Sequence, residues 1–348
     1  MPYVRLGDSV LTLYAELLDQ LRAADAEAAV HGLSGSFVSK EIRGRTYWYL
    51  QRSEGTAKRQ IYLGPESPHL LARIDSATAH RAAAAGDEKR RREIVGMLEA
   101  GGMFRDRAAI GVVLRVLADA SLFRAGGVLV GTQAFTTLAN VLGVAFEKSS
   151  LRTADIDVAH DISIPLGITE PPDLDLLERL RASDPRFFAV PGIDSREPST
   201  SFKVRGRDLR VDLLTPAARS NPRMRPVYLP HLGVAAQPLY GLDYVLEESI
   251  DAAVIVGSGI RVRVPTPARF AFHKLWLASI RSASEAAKSK KDLRQAEQLL
   301  NVIIDDRPDD IPPAWSALSA RSSFLRGVKA SLRKLPDDLP HRLASLVA

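Results

Sequence analysis

Val128-Leu129-Val130-Gly131-Thr132-Gln133 and, further along, Arg152-Thr153-Ala154-Asp155-Ile156-Asp157 are the stretches on which the reading of this chain turns. The first reads as a short apolar strand that runs into a glycine and then a helix over 134–142. The second reads as a strand, in which residues two apart share a face, so Asp155 and Asp157 present two carboxylates side by side. Such anions repel unless a cation sits between them. Hard divalent ions, magnesium above all, take oxygen ligands of this kind and bridge them to phosphates. A strand that ends at Gly131 and turns into a helix offers backbone N–H groups and a positive dipole end to an anion, and Thr132 adds a hydroxyl. Each half alone is compatible with a turn glycine or with solvated surface acids; the conjunction carries the reading.

Outward from this block, Phe202–Val204 and Leu209–Leu214 read as strands joined by the turn Gly206-Arg207-Asp208. Asp212 lies among apolar residues of the second strand, where an acid without a task is costly. Asp208 occupies the turn, where aspartate is ordinary. Helices are expected over 108–122, within 171–182, and at about 267–286, 290–304 and 314–333, with Thr266-Pro267 opening the first of the last three. Between them Ala253–Val256 and Ile260–Val264 form strands joined by Gly257-Ser258-Gly259. Toward the amino terminus, an amphipathic helix over 8–29 precedes three short strands, 37–42, 46–51 and 60–64, and a charged helical stretch that reaches Gly101-Gly102. The expected class is α+β in three units: a helix and strand module over 1–100, a mixed-sheet core over 101–225, and a strand and helical region over 226–348.

With 46% apolar and 25% charged residues the chain has the composition of an ordinary globular protein, which excludes a disordered one. It has no cysteine, so thiolate metal sites, disulfides and a cysteine nucleophile are excluded, and any metal must sit on carboxylates or imidazoles. No apolar run is long enough for a membrane span, and Met1–Ser9 lacks the pattern of a secretory signal, so a cytoplasmic protein without membrane contact is expected. His160 and His273 read as satisfied structural histidines; no Ser-His-Asp spacing or H-x-x-x-H motif supports a hydrolase. The net charge of +6 permits attraction to polyanions. The amino-terminal strands interleave Lys40, Arg43, Arg45, Arg52, Lys58 and Arg59 with Tyr47, Trp48, Tyr49 and Tyr62, a combination on which bases stack while cations hold phosphates.

Strand, glycine turn, helix and a strand bearing D-x-D resemble the nucleotidyltransferase superfamily that includes DNA polymerase beta. Arg152-x-x-Asp155-x-Asp157 preceded at the second position by Thr153 resembles the AbiEii-type branch and its bacterial relatives. The resemblance implies a third carboxylate on a neighbouring strand, for which Asp212 stands. It also implies a phosphate-binding lysine on a later helix, matched by Lys274, an arginine a turn or two on, matched by Arg281, and a K-D segment on the next helix, matched by Lys291-Asp292. Thr132 stands where the family more often has serine or glycine, and Gln295 where many AbiEii-like chains have a further aspartate. The resemblance covers about residues 125–300 and leaves the first hundred outside.

These readings make Asp155, Asp157 and Asp212 the expected catalytic, metal-holding carboxylates, with Mg2+ as the ion or Mn2+ in its place. Gly131, Thr132, Arg152, Lys274 and Arg281 are the expected nucleotide contacts. The implied activity is transfer of a nucleoside monophosphate from a nucleoside triphosphate to an acceptor hydroxyl, with RNA, tRNA or DNA among the acceptors and phage defence or toxin–antitoxin function among the roles. The rival reading is a non-catalytic nucleic-acid-binding protein that keeps the fold.

Overall fold

The computed structural model describes residues 3–31, 36–42, 44–54, 57–146, 154–161, 175–192, 197–217, 224–336 and 338–347. Strand β1 (Tyr3–Arg5) and helix α1 (Asp8–His31) lead into an antiparallel sheet of β2 (Ser36–Ile42), β3 (Arg45–Glu54) and β4 (Ala57–Pro65), followed by the long helix α2 (Pro68–Ala100). Ser67 sets the start of α2: its hydroxyl accepts from the Leu70 N–H at 3.2 Å, and Pro68 fills the first turn, where a missing N–H is harmless.

Helix α3 (Ala108–Asp119) ends three residues before the expected boundary, because Ser121 adopts a left-handed conformation with φ of 62° and stops the helical path. Then come β5 (Val128–Val130), α4 (Gly131–Val141), β6 (Val144–Phe146), β7 (Asp155–Ala159), α5 (Leu176–Ser183), β8 (Phe187–Ala189), β9 (Ser201–Val204) and β10 (Arg210–Ala217). Helix α4 starts at Gly131 itself, three residues earlier than the sequence pattern indicates. Strands β11 (Val227–Leu229) and β12 (Val234–Tyr240) complete a seven-stranded mixed sheet whose main path runs β11-β12-β10-β7-β5.

Strand β10 is the centre of this sheet. It pairs in parallel with β7 along one edge; on the other edge β9 takes its first half antiparallel and β12 takes its second half in parallel. Its side chains alternate strictly: Val211, Leu213, Thr215 and Ala217 are buried, while Arg210, Asp212 and Leu214 point to the other, partly open face. The buried face joins Leu129, Ile156 and Val158 in a core that also holds Phe135 and Leu138 of α4.

The rest of the chain comprises α6 (Leu242–Leu246), the hairpin β13 (Ser249–Val254) and β14 (Ile260–Pro265), α7 (Pro267–Ile280), α8 (Ala286–Asp306), α9 (Ile311–Ser319), α10 (Ser322–Leu332) and α11 (Asp338–Ala344). Phe270 and Phe272 of α7 and Leu299 and Ile303 of α8 enter the same core as the sheet. Helix α7 stops at Ile280 because Arg281 is extended, and the expected single helix over 314–333 is broken at Arg321, which leaves helical dihedrals. A second core joins Tyr14, Leu17 and Leu21 of α1 to Ile94 and Leu98 of α2 and to Ala253 and Ile255. Tyr14 fixes this contact, its hydroxyl donating to the Ala253 carbonyl at 3.2 Å and accepting from the Ala253 N–H at 2.9 Å.

Candidate functional site

The register of β7 against β10 places Asp157 opposite Asp212 and Asp155 opposite Arg210, all four on the partly open face. Period two puts Asp155 with Asp157 and Arg210 with Asp212 on one face of each strand, and the long-range β7–β10 register brings the two pairs together. On the other side of β7, Val130 pairs with Asp157, so Gly131 emerges beside that carboxylate. Gly131 has φ of +65°, and a Cβ added there would fall on the Asp157 carboxylate oxygen. Glycine therefore satisfies two demands at once, a left-handed turn and a close approach.

Burial, with Asp212 and Asp155 adding repulsion, pushes the Asp157 carboxyl up to about 6, against the opposing pull of Lys274 and Arg210. That is the response of a desolvated carboxylate with like charges beside it. Asp212 is partly compensated: its Oδ1 accepts from Arg210 Nε at 2.8 Å and from the Ser201 hydroxyl, and Arg210 also donates to Ser201 at 2.9 Å. A cleft of about 310 Å³ opens over this face, lined by Asp157, Ser201, Arg210, Asp212, Leu214 and Gln237 among others.

The donor set is all oxygen and suits a hard divalent cation. Among the described residues no group of three His, Cys, Asp or Glu is gathered closely enough to hold an ion alone. The residues therefore fit an ion that completes its shell with water and substrate phosphate, as magnesium ordinarily does.

Helix α8 closes the other side of the Gly131 turn. Lys291 Nζ donates to Thr132 Oγ1 at 3.0 Å. Burial and the neighbouring Lys274 lower the Lys291 pKa, while Asp292, Asp155 and Asp157 oppose them. Lys274 is 6% exposed and donates to Asp292 Oδ1 at 2.9 Å; Arg281 donates to Asp292 Oδ2 at the same distance and to Glu285 at 3.1 Å. Asp292, itself 3% exposed, thus holds both cations that the sequence marks as phosphate contacts. His273, buried beside Lys274, is held neutral, its pKa lowered to about 3 by burial and then by that charge. His160 is buried too, with Nε2 at 2.9 Å from the Ala125 carbonyl.

Asp155, Asp157, Asp212, Gly131 and Thr132 come together at one place, and Lys274 lies close enough to act electrostatically on Asp157. Arg281 reaches the group through Asp292, and Arg152 lies outside the described residues. The sequence reading passed over Arg210 and Ser201 as site residues and gave Lys291 only as part of a K-D match. Arg210 was signalled by its place two residues before Asp212 on one strand; Ser201 carries no such signal, since its position depends on the β9–β10 register.

A parallel carboxylate pair on adjacent strands, a glycine turn opening a helix beside it, and lysines from two later helices define a site suited to phosphate groups on a mixed α+β sheet. A family model described as Nucleotidyltransferase matches residues 108–319, more than half of the chain, and the chain belongs to this nucleotidyltransferase family. Comparison with curated proteins and with solved structures gives no match. The matched span runs from α3 through α9, so it contains every residue of the site and excludes the three-stranded sheet. The chain is accordingly a transferase with the α+β nucleotidyltransferase fold and a nucleotide substrate. Among the described residues no helix is long and apolar enough to cross a membrane.

Proposed function

We propose that this chain transfers a nucleoside monophosphate from a nucleoside triphosphate to an acceptor hydroxyl and releases pyrophosphate, with magnesium, or manganese in its place, held by Asp155 and Asp157 and supported by Asp212. The observation that carries the reading is the register that sets Asp157 against Asp212 on neighbouring strands, with Gly131 in contact range of Asp157. When bound, the ion neutralises phosphate charge and makes the acceptor hydroxyl more acidic.

The chain's own groups account for the remaining chemistry. The N–H groups at the start of α4 and the Thr132 hydroxyl face the triphosphate, where the helix dipole favours negative charge. Lys291, bonded to Thr132, adds a cation at that turn. Lys274 and Arg281, fixed on Asp292, raise the local positive potential and orient α8. Asp212 Oδ2, which no described hydrogen bond engages, accepts the acceptor proton while Oδ1 stays tied to Arg210 and Ser201. The acceptor oxygen forms its bond to the α phosphorus as the bond to the β-phosphate oxygen breaks, and pyrophosphate departs.

The likeness to AbiEii-type proteins supports a role in phage defence or in a toxin–antitoxin pair. A non-catalytic nucleic-acid-binding protein is the competing reading, and retention of all three carboxylates favours turnover over it. The test is incubation with each α-labelled nucleoside triphosphate, magnesium and total cellular RNA, with DNA and protein extract as parallel acceptors. Label in one macromolecular fraction, with matching pyrophosphate release, is expected. Absence of both with every triphosphate and every acceptor supports the non-catalytic reading.

A further inference from the structure

Between residues 36 and 65 stand six Lys or Arg against two Glu, so this segment is basic within a chain of net charge +6. Strand pairing divides its aromatic residues between two faces. Tyr47, Tyr49 and Tyr62 lie together, with the Tyr62 ring centre 6.3 Å from that of Tyr47 and 5.5 Å from that of Tyr49. Tyr62 is 55% exposed, whereas Leu50, on the opposite face, is 1% exposed. The tyrosines therefore form an outer surface and not a core. Trp48 alternates onto the Leu50 side, and its indole donates to Glu66 at 3.1 Å. Lys40 sits on the tyrosine side, 5.0 Å from the Tyr49 ring centre and bonded to Gln60 at 2.6 Å, and exposed Arg45 flanks it. Among the described residues none of the three phenol hydroxyls has a hydrogen-bond partner, and Gln51 and Gln60 add carboxamides to the same face.

We propose that the face formed by Tyr47, Tyr49 and Tyr62, with Lys40 and Arg45, binds single-stranded RNA. The exposed Tyr62 ring, flanked by the half-buried Tyr47 and Tyr49 rings, offers a stacking platform only to unpaired bases, the cations track phosphates, and the carboxamides suit a 2′-hydroxyl. The proposal deepens the nucleotidyl transfer reading by naming RNA as the acceptor class, and rests on that reading for the word acceptor. Binding itself needs neither nucleotide nor metal.

The experiment measures anisotropy of a labelled twelve-nucleotide single-stranded RNA, its DNA counterpart and an RNA duplex with the full chain over a range of salt. The RNA strand is expected to bind tightest, with affinity falling steeply as salt rises. Tyr62→Ala, an exposed position whose loss leaves the fold intact, should weaken binding at least about fivefold without changing the salt slope, and Tyr62→Phe should stay within about twofold of the native protein. Arg45→Ala should weaken all sequences alike and reduce the salt slope by about 0.7. No binding, or Tyr62→Ala binding as tightly as the native chain, overturns the proposal; equal affinity for the DNA strand overturns the assignment to RNA. Transfer onto a protein without any RNA binding would sink this proposal and spare the transferase reading, and tyrosine-dependent RNA binding without transfer would do the reverse.

Discussion

The ammonium of Lys291 donates to the Thr132 hydroxyl at 3.0 Å, joining residues 159 positions apart and closing α8 onto the glycine turn of α4. Lys291→Ala is expected to weaken triphosphate binding by about 1.5 to 3 kcal/mol, the range for a charge-assisted hydrogen bond, and to affect a monophosphate much less. Titration calorimetry of both ligands checks this. Equal losses would mean that Lys291 does not act on the β or γ phosphate.

Lys274 has a different expectation. It is bonded to a carboxylate that is almost wholly buried, and removing one member of such a pair leaves the other uncompensated. Lys274→Ala should lower unfolding stability by about 3 to 5 kcal/mol, reduced by whatever compensation Arg281 gives Asp292. Urea unfolding measures it, and native-like stability with lost nucleotide binding would point to a contact made directly with phosphate.

Gly131→Ala should destabilise by about 1 to 3 kcal/mol through its left-handed backbone alone, before the clash with the Asp157 carboxylate is counted. Combining it with Asp157→Ala should restore at least about 0.5 kcal/mol of that loss, because the two side chains compete for one volume. A strictly additive double-mutant cycle contradicts the close approach.

Asp106, between α2 and α3, gives a pH test away from the site. Burial raises its pKa from 3.8 to about 7, only partly opposed by Arg107. The native state thus holds this proton more tightly than the unfolded one. Stability falls as pH rises from about 4 to about 7, and the whole penalty is present above that. Asp106→Asn should be more stable than the native chain at pH 8 by about 2 to 4 kcal/mol and equal to it near pH 4. Denaturant unfolding at both pH values decides the matter; a difference independent of pH excludes titration of Asp106 as its cause.

The geometry around Asp157 was legible because it rests on local rules: period two puts Asp155 and Asp157 on one face, and a strand running into Gly131 is a turn with a helix behind it. Asp212 was legible as an acid among apolar strand residues, and its neighbours Val211 and Leu213 do face inward. What escaped depends on distant contacts. The expected helix over 267–286 carried both Lys274 and Arg281, yet α7 ends at Ile280, and Asp292 of α8 draws the two together instead. The short strands β1 and β6 pair residues as far apart as Tyr3 and Phe146 and have no periodicity of their own. Trp48, grouped with the tyrosines by composition, falls on the other face by alternation, which the aromatic run alone does not announce.

The most direct test of the central claim is pyrophosphate release by purified native chain and by Asp157→Asn, in the same magnesium buffer with the acceptor fraction that becomes labelled. Asn keeps the shape and removes the charge that the account requires, and relieving the repulsion among the carboxylates should leave apo stability unchanged or higher. Release by the native chain, and none by a folded Asp157→Asn variant, is the predicted result; undiminished release by that variant would contradict the account.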